Sequence, residues 1–229
     1  MTHLYLMPGM AANSSIFEHI SLPKSAYTVH YLEWFLPEQN ETIQAYALRM
    51  CSHIEHNNIV LLGVSFGGVL VQEMARHIKV KKLIVVSSVK SSRELPRRMT
   101  LSRKLKLYKL LPTRLVEDID LLVKYAFGAS IKNRVALYKK YLSMNDRRYM
   151  RWAVREMVCW DQIEPLKNTI HIHGTGDKVF PYKYIDDAIF VDKGTHIMII
   201  TRAKWFNKFL PQLIENEYIK QNEFENELD

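Results

Sequence analysis

The chain has few cysteines, few glycines and no long hydrophobic run. Its two cysteines, Cys51 and Cys159, are too few for a disulfide framework and lack the spacing of a zinc site. We expect both thiols to be free and mostly buried, as in proteins of a reducing compartment. No stretch approaches the roughly 18 apolar residues of a membrane span, and the N-terminus lacks the basic-then-apolar layout of a signal peptide. The sequence therefore predicts a soluble, cytoplasmic protein with no integral membrane association.

Glycine is scarce and unevenly placed. Only 8 of 229 residues are glycine, and seven of them fall in four turns that follow strand-like segments. Because glycine allows a chain to bend sharply or to approach a ligand closely, these turns are candidate active-site loops. Glycine-rich turns also occur in inert α/β proteins, so the pattern supports this interpretation without requiring it. The seven glycines are Gly9, Gly63, Gly67, Gly68, Gly174, Gly176 and Gly194, and the eighth is Gly128.

One of these turns, Gly63-Val64-Ser65-Phe66-Gly67, has the G-x-S-x-G pattern. An apolar, strand-like run precedes it and a helix-like run follows it. This context is typical of a nucleophile elbow, a turn too tight for side chains on its flanks, from which the serine hydroxyl projects. The alternative is a tightly packed strand–helix turn with an incidental serine. The sequence favours Ser65 as a nucleophile because two further residues fit the same chemistry.

Those residues are Asp177 and His196, which follow two later strand-like segments. A serine hydroxyl needs a base, and that base needs an acid to fix its tautomer and stabilise the imidazolium. In a parallel sheet, loops after different strands open at the same edge, so the three side chains can meet. Asp186 and Asp187 are alternative acids, but they lie too far beyond the strand end. His171 and His173 could bind a metal, but with no evident third ligand we expect them to pack or to hydrogen-bond.

These motifs resemble the α/β-hydrolase superfamily. The resemblance extends over most of the chain, from Met7-Pro8-Gly9-Met10 after the first strand to the Gly-Thr-His turn at 194–196. It implies a Ser-Asp-His triad, no cofactor or metal, and an oxyanion hole formed by the backbone N–H groups of Met10 and Phe66. Two features depart from the superfamily pattern. Pro8 stands where many relatives have histidine, and the usual first two strands are missing, which implies about six strands.

The order of elements predicts an α/β fold with a doubly wound, mostly parallel sheet and an inserted helical cap. Strand-like and helix-like segments alternate up to about residue 89, including a capping-box signature at Ser15 and Glu18 for a helix start. Helical periodicity dominates from about 97 to 160. We therefore expect a hydrolase-like core formed by 1–89 and 169–229, with a cap formed by 90–168.

The predicted cap is rich in aromatic side chains and in positive charge. Tyr108, Tyr125 and Trp152 are candidates to line a substrate pocket, although cap packing is the alternative for each. The chain carries a net charge of +8, and residues 90–168 hold 19 Lys and Arg against 8 Asp and Glu. Three explanations of this positive charge are open. It can be a solvated helix surface, it can attract an anionic substrate or one carried by an acidic protein, or it can bind a membrane or nucleic acid. The segment lacks the repeats of a nucleic-acid module, and we expect no nucleic-acid partner.

Together, these observations predict a serine hydrolase. It would cleave the carboxylic ester or thioester bond of a small-molecule substrate through an acyl-enzyme intermediate. An acidic acyl carrier protein that docks on the basic cap is a possible partner. Two alternatives use the same scaffold. One is a ligand-binding receptor with slow or no hydrolysis, and the other is an acyltransferase or C–C bond hydrolase.

Overall fold

The computed structural model describes residues 1–110 and 140–215. In this part of the chain, six strands form one sheet in which every neighbouring pair is parallel. The strand order is β2-β1-β3-β4-β5-β6. The strands are β1 (Thr2–Met7), β2 (Tyr27–Tyr31), β3 (Ile59–Val64), β4 (Lys82–Val86), β5 (Thr169–Gly174) and β6 (Ile189–Val191). The expectation of a shortened, six-stranded α/β core is confirmed.

Apolar runs explain the parallel arrangement. All six residues of β3 are buried, as are four of the five in β4, because helices cover both faces of the sheet. The helices among the described residues are α1 (Ile43–Cys51), α2 (Phe66–Met74), α3 (Arg97–Lys104), α4 (Arg147–Cys159), α5 (Met198–Thr201) and α6 (Ala203–Glu215). None of the described helices is long and apolar enough to cross a membrane.

Two hydrophobic clusters hold the layers together. On one face, alternate residues of β1 and β3, such as Tyr5 and Leu61, pack with α1, α2 and α4. On the other face, Leu4 and Leu62 pack with α6 and with the 3-10 helix Ser14–Phe17. Adjacent residues of one strand point to opposite faces, so each strand contributes to both clusters.

The sheet has its topological switch point between β1 and β3. The chain passes from β1 outward to β2, then crosses back so that β3 pairs with the other side of β1. The connections after β1 and β3 therefore lie on opposite faces, and a crevice opens at the carboxyl ends of these strands. Open α/β sheets bind ligands at this position.

The segment between β4 and β5 contains α3, the 3-10 helix Leu107–Leu110 and α4. Residues 111–139 of this segment lie outside the described part. The buried face of α4 belongs to the same cluster as α1 and α2, so this helix packs against the core. The division into a core and a separate cap formed by 90–168 stays a prediction.

Candidate active site

Ser65 lies at the turn from β3 into α2 in a strained backbone conformation. Its φ is 53° and its ψ is −121°, in a region that residues other than glycine rarely adopt. The Ser65 N–H donates to the carbonyl of Val86 at 2.9 Å, which fixes the turn to β4. A Cβ atom at Gly63 or at Gly67 would collide with backbone atoms. The turn therefore has the geometry of a nucleophile elbow, and its glycines are sterically required.

The structure brings Ser65, His196 and Asp177 together in one hydrogen-bonded chain. His196 Nε2 lies 2.9 Å from Ser65 Oγ, and His196 Nδ1 lies 2.8 Å from Asp177 Oδ2. His196 follows β6 and Asp177 follows β5, so both residues reach Ser65 from loops at the same sheet edge. This arrangement lets the imidazole take a proton from the serine while the carboxylate holds its Nδ1–H.

Asp177 is buried and fixed by a second set of hydrogen bonds. Its Oδ1 accepts from the backbone N–H of Val179 at 2.7 Å and of Phe180 at 2.9 Å. Burial alone would raise the pKa of the carboxyl, but the charge of His196 and its hydrogen bond outweigh burial. The pKa of Asp177 is therefore lowered from its ordinary value. The residue is an anion at neutral pH and accepts the Nδ1–H of His196.

Met10 and Phe66, the two residues expected to supply an oxyanion hole, line the same cavity as Ser65 and His196. Phe66 is the first residue of α2, where backbone N–H groups have no partner within the helix. Within the described part of the chain, neither the Met10 N–H nor the Phe66 N–H makes a hydrogen bond. Both N–H groups are therefore unpaired among the described residues.

Two aromatic residues, Trp34 and Tyr149, hold the loop after β1. Trp34 Nε1–H donates to the carbonyl of Gly9 at 2.8 Å, and the Trp34 ring stacks on Phe66 with centroids 5.2 Å apart. The Ala11 N–H donates to the hydroxyl of Tyr149 at 3.2 Å. These contacts fix the backbone on both sides of Met10. Each partner is far away in sequence, so only the folded arrangement reveals them.

The cavity beside Ser65 has a volume of about 150 Å³ and is mainly apolar. Its walls come from the loop after β1, the 3-10 helix Ser14–Phe17, the serine turn and the segment just before α4. Helices α3, α4 and α5 and the loops after β5 and β6 complete them. The apolar residues at its wall include Met10, Ile16, Met99, Leu142, Met150, Met157, Val179, Phe180, Ile197 and Ile200. This lining suits a hydrocarbon group rather than a charged one.

The three aromatic residues predicted to bind substrate lie elsewhere or are not described. Trp152 is buried in the core, where its Nε1–H donates to the carbonyl of Glu41 at 2.9 Å. Tyr108 is half-buried beside Cys159, whose hydrogen bond raises the pKa of the tyrosine. Neither is among the described residues that line the cavity beside Ser65. Tyr125 lies outside the described residues.

Asp187, an alternative acid, and the histidines His171 and His173 lie outside the hydrogen-bonded chain of Ser65, His196 and Asp177. The Asp187 carboxylate lies 3.3 Å from Lys90 Nζ, so it is engaged away from His196. His171 and His173 are buried, with ring nitrogens 3.2 Å apart, and His173 Nε2 lies 2.8 Å from the Phe180 carbonyl. His173 therefore supports the loop that carries Asp177.

Comparisons with known proteins support the fold. No family model and no curated protein sequence matches the chain. A hydrolase from Oleispira antarctica is similar in structure, with a TM-score of 0.71 and 12% identity over 94% of this chain and 92% of its own. A lipase-esterase related protein from Clostridium acetobutylicum has a TM-score of 0.66 and 17% identity, covering 93% of this chain and 94% of its own. The enol-lactonase from Burkholderia xenovorans has a TM-score of 0.64 and 15% identity, covering 94% of this chain and 92% of its own.

These identities are too low to transfer a reaction, because one fold hosts many chemistries. The structural similarity agrees, however, with the parallel sheet and its flanking helices. The chain therefore has the α/β-hydrolase fold, with a core shortened to six parallel strands.

Proposed function

We propose that this protein is a serine hydrolase that forms an acyl-enzyme on Ser65. The observation that carries the proposal is the continuous hydrogen-bonded chain from Ser65 Oγ through His196 to Asp177. His196 Nε2 takes the serine proton as Ser65 Oγ attacks the acyl carbon. His196 then gives that proton to the leaving group, and water releases the acid by the same route.

The backbone N–H groups of Met10 and Phe66 would stabilise the negative oxygen of the tetrahedral intermediate. Support comes from their position at the cavity wall beside Ser65 and from the absence of any other partner for them in the described chain. Such preorganised donors are usually the largest single electrostatic contribution in acyl transfer. Because both donors belong to the backbone, Pro8 in place of the superfamily's histidine does not remove them.

The cavity supports a short apolar acyl group in the proposed carboxylic ester or thioester. An apolar cavity of about 150 Å³ is large enough for a benzene molecule, so about six carbon atoms fit beside Ser65. Its aliphatic and methionine lining offers few polar partners, which disfavours a charged or strongly hydroxylated acyl group. Methionine side chains such as Met99 and Met157 can adapt to acyl groups of different shape.

The position of α3 gives a specific reason to test a carrier-linked thioester. Met99 lines the cavity, and Arg98 donates to the carbonyl of Val179 at 2.8 Å. Helix α3 therefore lies beside the loop after β5 that carries Asp177. Arg97, two residues from Met99, is exposed. An acidic carrier that docks on this basic helix would deliver its acyl group to the cavity.

A series of p-nitrophenyl esters with acyl groups of two to twelve carbons tests the proposal. We expect kcat/KM to be greatest at about four to six carbons, because longer chains exceed the cavity. The Ser65→Ala variant should lose about 10⁴- to 10⁶-fold in kcat with little loss of stability. If that variant keeps more than a tenth of the wild-type rate, Ser65 is not the nucleophile.

The same series separates the proposal from a ligand-binding receptor on this scaffold. A receptor would bind the ester or its acid with no acyl-enzyme and no dependence of turnover on Ser65. Activity towards acyl thioesters, measured beside the oxygen esters, distinguishes the two leaving groups.

A further inference from the structure

A cluster of three histidines lies on one face of the sheet, at the edge formed by β1 and β2. The parallel register places Tyr5 of β1 opposite His30 of β2, and His3 lies two residues before Tyr5 on the same face. The loop after α1 brings His56 onto this pair, with the rings of His3 and His56 stacked at a centroid distance of 3.8 Å. Three separate segments of the chain thus place their imidazoles together.

The ring nitrogens are close enough to share one ion. One nitrogen from each histidine lies within 4.8 Å of the other two, and His3 Nδ1 is 3.0 Å from His30 Nε2. Zinc at 2.0–2.1 Å from tetrahedral nitrogen ligands places those nitrogens about 3.4 Å apart. Movements of roughly 1.4 Å or less would bring the nitrogens to this spacing, and the stacked rings of His3 and His56 would also tilt so that both lone pairs point at the ion. The ion would replace the proton that His3 and His30 share.

A buried tyrosine fixes one of the three rings. The hydroxyl of Tyr5 lies 2.7 Å from His56 Nδ1 and accepts a hydrogen bond from the Glu55 N–H at 3.2 Å. Metal-binding histidines usually make a second hydrogen bond that sets the orientation of the ring. Tyr5 has the position and the chemistry for this role, and nothing in the proposed hydrolysis uses it.

The cluster is open to solvent on one side. All three histidines are half-buried, and a surface groove of about 500 Å³ runs past His30, His56 and Glu55. An ion can therefore enter, and water can supply a fourth ligand. The cluster is separate from the triad, because about 13 Å of extended chain lies between His3 and Met7, after which the loop beside Ser65 begins.

We propose that His3, His30 and His56 form a binding site for a divalent transition metal, with Zn²⁺ as the ion best suited to three imidazoles and one oxygen ligand. Imidazole is a good ligand for zinc, copper and nickel, and a poor one for magnesium or calcium. The ion would link the edge strand β2 to β1 and to the loop after α1. The site is independent of the triad, so its presence or absence leaves the proposed hydrolysis open to separate test.

Zinc titration of the untagged, chelator-treated full chain, followed by calorimetry, tests the proposal. We expect one Zn²⁺ per chain. Each of the variants His3→Gln, His30→Gln and His56→Gln should weaken binding at least tenfold, and Tyr5→Phe should weaken it about 10- to 100-fold. His77→Gln, which changes an exposed histidine outside the cluster, is the matched control and should bind as the wild type does.

X-ray absorption of the zinc-loaded wild-type chain gives a second measurement that needs no variant to fold. We expect three nitrogen ligands at about 2.0–2.1 Å and one oxygen ligand. The proposal is overturned if the wild-type chain binds no zinc at 1 mM, if all three variants bind as tightly as the control, or if absorption shows fewer than three nitrogens. None of these outcomes bears on Ser65, whose ester hydrolysis should be unchanged in His30→Gln.

Discussion

Replacing Asp177 by asparagine should stop catalysis while leaving the fold intact. Two backbone N–H groups, of Val179 and Phe180, donate to Asp177 Oδ1. In the Asp177→Asn variant they will hold the amide oxygen in the same place. The amide NH₂ then faces His196 Nδ1, where Oδ2 stood. Two donors cannot pair, so His196 must place its proton on Nε2, and it can no longer accept the proton of Ser65.

The size of the effect follows from the loss of the base. A catalytic histidine held in the wrong tautomer lowers kcat by about 10⁴, the magnitude known for the same substitution in a serine protease. At 1.36 kcal/mol for each factor of ten, this corresponds to about 5.4 kcal/mol of lost transition-state stabilisation. The free energy of unfolding should change far less, because the amide oxygen still satisfies both backbone donors.

Steady-state hydrolysis of p-nitrophenyl butyrate at pH 7.5, with urea denaturation of the same preparations, measures both quantities. Asp192→Asn, which changes an exposed carboxylate on the loop before His196, is the matched control and should keep kcat within about twofold. A loss of less than tenfold in Asp177→Asn would refute the reasoning that Asp177 sets the tautomer of His196.

Three further predictions concern the elbow, the buried histidines and the basic helix. Gly67→Ala should lower the free energy of unfolding by about 1–3 kcal/mol in urea denaturation, because the new Cβ meets the backbone carbonyls of Pro8 and Met7. Burial, together with the nearby His173 and Lys90, holds the pKa of His171 well below the ordinary 6.5. The unfolded chain therefore binds more protons than the folded chain as the pH falls below about 6.5. His171 alone should therefore lower the free energy of unfolding between pH 7 and 5.5 by up to about 1.4 kcal/mol per pH unit, and His171→Gln should remove that part of the slope. If α3 receives an acidic carrier, kcat/KM for a carrier-linked thioester should fall steeply as salt is added, and it should also fall in Arg97→Glu. The kcat/KM for a small neutral ester should change little in either case. Equal salt responses for both substrates would leave the basic helix as a solvated surface.

The sequence predicted the elements that local patterns determine. The G-x-S-x-G turn, the order of strands and helices and the glycine-rich loops follow from short-range sterics and periodicity, so Ser65, Asp177 and His196 could be chosen as neighbours. Even so, one local signature was misleading. Ser15 and Glu18 indicated a capping box, whereas the structure has a four-residue 3-10 helix whose cap is Asn13, which accepts from the Ser15 N–H.

Long-range packing explains what the sequence could not predict. An aromatic residue in a helical segment can face a pocket or the core, and Trp152 packs with Tyr46 and Phe66 in the core. Likewise, local spacing pointed to His171 and His173, which share one strand, as the histidines that could bind a metal. His3, His30 and His56 meet only because β2 lies beside β1 at the edge of the sheet, and strand order is not visible in local periodicity.

The most direct test of the central claim is covalent labelling of the whole chain with a fluorophosphonate, read by mass spectrometry. The probe reacts with a serine only when an adjacent base and an oxyanion hole activate it, so it reports the triad without a choice of substrate. We predict one adduct per chain, located on Ser65, and no adduct in Ser65→Ala or after denaturation in urea. No adduct on the folded wild-type chain, or an adduct on another residue that persists in Ser65→Ala, would contradict the account.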